Sequence, residues 1–99
     1  MDCLVCFDNL PWVQVRTGMR CKTYQNGEKR IRLIELSEGF MEEDWCLNSH
    51  TNVILEGAFS SDFDGTIKRY AAGDILYIPE GKAHKAVLGK GDRVLMLDF

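Results

Sequence analysis

Ninety-nine residues, 45% of them hydrophobic and 27% charged, are the composition of a small globular chain with room for one domain, 1–99, that buries about two thirds of its unfolded surface. A net charge of −3 offers no field to attract phosphate backbones, local basic residues such as Lys29, Arg30 and Arg32 notwithstanding, and no apolar run nears the roughly 18 residues of a membrane helix. Nucleic acid and membrane are therefore excluded as partners.

The opening residues 1–8 are too short and too acidic for an export signal, so a cytoplasmic location is expected, with Cys3, Cys6, Cys21 and Cys46 as thiols. Cys3 and Cys6 form a Cys-x-x-Cys pair, but neither a helix start nor a second matching pair accompanies it. The plain reading is two small thiols near a terminus.

Residues 12–16 alternate apolar and polar, and Thr17-Gly18 turns the chain into a second strand over 19–24 in which Cys21 is a packed side chain. Asn26-Gly27 is a strong hairpin signal and leads into a strand over 29–36. A polar connection, 37–43, follows. Strands are then expected at 44–47, 51–57, 58–62, 66–70, 75–78, 84–88 and 93–99, with turns at Asp64-Gly65 and Gly89-Lys90-Gly91. Many short strands at such spacing, with no sustained helical period, favour a sandwich or barrel.

Residues 73–84 read Gly-Asp-Ile-Leu-Tyr-Ile-Pro-Glu-Gly-Lys-Ala-His. Gly73-Asp74 is a turn, residues 75–78 a buried strand, and Pro79-Glu80-Gly81 a second turn. His84 then begins the return strand with little conformational freedom, a good position for a metal ligand or a general base.

The spacing of Gly73, Pro79, Gly81 and His84 resembles the second sequence motif of the cupins. Upstream, residues 53–57 look like the strand and turn closing the family's first motif, and residues 65–73 like the hairpin between the two. The resemblance covers roughly 30–99 and leaves strands 12–24 to complete the barrel or a dimer interface. It implies an all-β, cupin-type β-barrel (a double-stranded β-helix or jelly roll) of eight or more short strands, with one pocket for a small-molecule ligand. A homodimer is also implied, in keeping with the limited core of so short a chain. Leu88 stands where the motif carries a trailing asparagine.

The first motif departs from the family pattern, in which two histidines one residue apart precede a glutamate and then a glycine. Counting back from Gly57 places His50 at the glutamate and Asp44 and Cys46 at the histidines. By this comparison the metal set becomes Asp44, Cys46, His50 and His84, holding a divalent transition metal: zinc, iron, nickel or copper. The residues lend support of their own. Asp44 and Cys46 share a face if they lie on one strand, His50 shares one with Asn52, and imidazole with thiolate suits those ions. The alternative is a solvated Asp44, a packed Cys46, and histidines hydrogen-bonded to a small ligand or to each other.

Asn52, on the His50 face, and Tyr77, an amphipathic ring on a short strand, are further pocket candidates. Phe40, Met41 and Trp45 are expected in core or interface packing, and the Arg20/Lys22 and Arg30/Arg32 alternations fit a solvated strand face as well as a cationic stripe. The expected function is a metal-binding small-molecule protein, as an enzyme of oxidoreductase (dioxygenase) or isomerase type, against the alternative of a metal-free binding or sensing module.

Overall fold

The computed structural model describes residues 3–99; Met1 and Asp2, which open the acidic stretch read against an export signal, lie outside the described residues. Eight strands follow a single 3-10 turn, Phe7–Asn9: β1 (Val13–Arg16), β2 (Met19–Asn26), β3 (Lys29–Ser37), β4 (His50–Asp62), β5 (Ile67–Ala71), β6 (Ile75–Ile78), β7 (Lys85–Val87) and β8 (Arg93–Asp98). The architecture is all-β and antiparallel. Hydrogen bonding runs β1-β2-β3-β8-β4-β5, and β6 and β7 also pair with β4.

Period-2 alternation decides which residues face inward. On β3, Ile34 and Leu36 are buried; on β8, Val94, Met96 and Asp98; on β6, Leu76 and Ile78. The intervening Ile75 and Tyr77 point outward, 67% and 68% exposed. Cys21 belongs to the same core, as its strand pattern requires, and so does Phe40; Met41 and Trp45 do not. Trp45 instead lies half out of the surface with the Lys85 ammonium 4.8 Å from its ring.

Two expected strands, 51–57 and 58–62, are one. β4 runs unbroken for 13 residues because a bulge between Ile54 and Glu56 bends it without ending its ladder to β8. The bend lets β4 change neighbours: its first half pairs with β6, its second with β5 and β7. Gly57 follows the bulge at φ 75°, where a Cβ would fall on the carbonyl of Arg93 in β8. Gly57→Ala should therefore cost about 3 kcal/mol or more, combining a left-handed conformation with overpacking against backbone; an urea midpoint equal to wild type would contradict this.

Residues 44–47 form no strand. Only one bridge is made there, Cys46 N–H to the His84 carbonyl at 2.9 Å and His84 N–H to the Cys46 carbonyl at 3.1 Å. The connection from β3 to β4 is a strap laid along β7 and the turn before it. Glu42 accepts the Ala86 N–H at 3.1 Å, Lys85 donates to the Glu43 carbonyl at 3.1 Å, and the Gly81 N–H donates to the Leu47 carbonyl at 2.8 Å. The strap thus satisfies an otherwise open strand edge and delivers Cys46 to the barrel interior.

Candidate metal centre

Three elements bring donor atoms together at one end of the barrel. β4 starts with His50, the strap carries Cys46, and the turn through Pro79 and Gly81 delivers His84 just before β7. One donor atom from each of Cys46, His50 and His84 lies within 4.8 Å of the others. The imidazoles meet edge to face with centroids 5.1 Å apart.

Each histidine is oriented from behind. His84 Nδ1 lies 2.8 Å from the Lys82 carbonyl; because a carbonyl only accepts, Nδ1–H is the donor, which directs Nε2 of the ring toward the other donors. His50 Nδ1 faces Asp98 Oδ1 at 3.7 Å, an ion-pair separation, and its Nε2 lies 3.6 Å from Cys46 Sγ. Bonds of about 2.05 Å to nitrogen and 2.3 Å to sulfur at a tetrahedral angle place those ligand atoms about 3.6 Å apart. The Cys46–His50 spacing therefore fits a first-row divalent ion without rearrangement, and a histidine backed by a carboxylate is the usual support of such a ligand.

Asp98 is the polar hub of the site. It is buried, with Oδ2 receiving Arg32 Nε and Nη2 at 3.0 and 2.8 Å and Oδ1 receiving Asn52 Nδ2 at 3.0 Å. Asn52 Nδ2 also lies 3.4 Å from the Leu97 carbonyl. Burial pushes the Asp98 carboxyl up, but His50, Arg32 and Asn52 together outweigh it and bring it down to about 2. The Asp98 carboxylate is also the main reason that His50 is raised to about 9; burial opposes the shift and Cys46 adds to it.

Beside these groups lies a cavity of about 120 Å³. His50, Asn52, His84, Arg32 and Asp98 line its polar end, while its walls are aliphatic and aromatic. Two sequence candidates fall elsewhere. Tyr77 does not line the cavity, because Leu76 and Ile78 take the inward positions of β6. Asp44 is exposed beside Arg16 and Thr17 in a surface hollow and is not among the converging donors, since no strand aligns it with Cys46.

Asp98 escaped the sequence reading, although a carboxylate at the inward position of the series Val94, Met96, Asp98 is a readable signal: such a group needs partners to be buried. Arg32, one of the alternating cations, is that partner. Leu88, in the place of the motif's asparagine, packs against the core. Cys3 and Cys6 are free thiols, and Cys6 immediately precedes the 3-10 turn, too short a helix start to alter their reading.

One end of this small antiparallel barrel gathers two imidazoles and a thiol beside a largely apolar cavity. The fold is that of the cupins. The polyketide cyclase RemF from Streptomyces resistomycificus superposes with a TM-score of 0.83 at 20% identity, over 99% of this chain and 78% of that one. KdgF from Halomonas sp. gives 0.78 at 19% identity, over 99% and 91%. An RmlC-like cupin from Shewanella frigidimarina gives 0.75 at 20%, over 99% and 88%. No family model and no curated protein matches the sequence.

Proposed function

We propose that Cys46, His50 and His84 hold one divalent transition-metal ion, zinc, iron, nickel or copper, and that the adjoining cavity takes a small-molecule substrate. The observation that carries this is the convergence of the three donors within 4.8 Å of one another, with His50 and His84 at the polar end of the cavity. Three protein ligands leave a coordination position for water or substrate, the arrangement of catalytic rather than structural sites. A metal bound there polarises a substrate oxygen or activates water, chemistry that serves an oxidoreductase or an isomerase. The chain's own part is to fix His84 through the Lys82 carbonyl, to orient His50 through Asp98, and to keep water from the apolar walls.

A metal-free binding module is the competing reading, favoured by one observation: His50 already has Asp98 on one side and Cys46 on the other. Elemental analysis of untagged protein purified without added metal decides. Near one equivalent supports the metal site; none, even after reconstitution, leaves the binding module.

The proposal extends to one domain over 1–99, located in the cytoplasm and assembled as a homodimer. Free thiols at all four cysteines agree with a reducing compartment, and among the described residues no helix is long and apolar enough to cross a membrane. The dimer is supported by an outward apolar row that crosses four strands in register: Ile75 beside Val53, Val53 beside Leu97, Leu97 beside Leu33. Sedimentation at micromolar concentration should give twice the monomer mass, reduced to the monomer by Tyr77→Glu; a wild-type monomer rejects the dimer.

A further inference from the structure

We propose that the molecule held in this barrel is compact and largely apolar, a single ring or branched body carrying one oxygen that faces the Cys46, His50 and His84 cluster. The oxygen's partner rests on the metal-site reading above; the rest follows from the cavity. Its volume is about 120 Å³, and an apolar cavity of roughly 150 Å³ takes up benzene. The inner cavity has room for one six-membered ring.

The walls set the polarity. Ile34, Leu36, Phe59, Leu76, Ile78 and Met96 supply carbon and sulfur surface, and Met96 beside Phe59 is the kind of adaptable contact that suits a ring. Several of the polar groups that line the cavity already hold one partner. Arg32 is bonded to Asp98, Asn52 donates to Asp98, Ser61 Oγ donates to the Lys85 carbonyl at 3.3 Å, and Glu42 receives the Ala86 N–H. Among the described residues no buried side-chain nitrogen or oxygen lacks a partner.

A hydroxyl-rich ligand would surrender water without replacement wherever it met the apolar walls, losing roughly tenfold in affinity for each hydroxyl left unpaired there. The neighbouring barrels are no guide to this choice, because ligand class is set by wall chemistry rather than by fold.

The test titrates phenol and D-glucuronate into the full chain, with zinc and with EDTA, following amide shifts in 1H–15N spectra. Phenol should saturate one site, shifting residues of β3 and β6 around Ile34 and Leu76, at least about tenfold more tightly than glucuronate. Ala86→Leu, which adds three carbons to the cavity wall, should abolish the phenol shifts and leave zinc uptake unchanged. Equal or tighter binding of glucuronate, or no phenol shift in wild-type protein, overturns the inference. Zinc uptake is measured separately: a protein that loads zinc but prefers the sugar acid overturns the ligand class alone, whereas phenol preference without zinc uptake upholds the apolar ligand and sinks the metal reading.

Discussion

His84→Ala and His50→Ala should each bring the metal content of the purified protein from about one equivalent to near zero. Removing one donor of three leaves a two-ligand site, and the loss should exceed the 10- to 100-fold drop typical of disturbing an outer partner. Cys46→Ser should act differently. It keeps a donor but exchanges soft sulfur for hard oxygen, so zinc and copper affinity should fall more than that for a harder ion. His84 is buried, and its truncation leaves a void worth on the order of 1–3 kcal/mol; thermal unfolding in chelator separates that loss from the loss of metal. Full metal content in both histidine variants would refute the site.

Asp98→Asn should weaken metal binding by about 10- to 100-fold while leaving all three donors in place. It should also change the pH dependence. In the wild type, metal must displace the proton that Asp98 helps to keep on His50, whose pKa stands at about 9. Apparent affinity should therefore rise by up to about tenfold per pH unit above pH 6.5 and level off as pH passes about 9. The asparagine variant removes the carboxylate that raises His50, so its affinity should level off at lower pH. Parallel wild-type and variant profiles would remove Asp98 from any role in setting His50.

The same pair has a sign for the stability of the metal-free protein. His50 is raised above 6.5, so its contribution is complete below pH 6.5 and is lost as pH rises through about 9. Asp98 is lowered below 3.8, so its contribution is complete above pH 3.8 and is lost as pH falls through about 2. The advantage of wild type over Asp98→Asn should thus be greatest between about pH 4 and 6.5, on the order of 1–3 kcal/mol when the shared interaction is counted once. Above pH 9 only the bonds to Arg32 and Asn52 separate the two.

Strand identity was legible wherever period-2 alternation or a turn pair marked it. Gly73-Asp74 and Pro79-Glu80-Gly81 fall between strands as expected, because positive φ and a fixed proline ring are local demands that a sequence states directly, whereas the hairpin read at Asn26-Gly27 turns on Gly27 and Glu28, with Asn26 closing β2 opposite Lys29. The bulge in β4 was not legible. It depends on which residues of β8 lie alongside, and Gly57 reads as a turn until the Arg93 carbonyl is seen against it.

For the site, the sequence by itself determined that His84 stands at a strand entry after a rigid turn and that His50 and Asn52 share one face, since both follow from local geometry. Only the tertiary structure decided that Cys46 joins them while Asp44 does not, because a single bridge to His84, rather than a strand, positions the strap. Only it turned Tyr77 outward and Asp98 inward, and set Asp98 between Arg32 and His50. Arg32 and Asp98 are 66 residues apart, and partners so distant meet only when strand order and register have been chosen by the burial of the whole core.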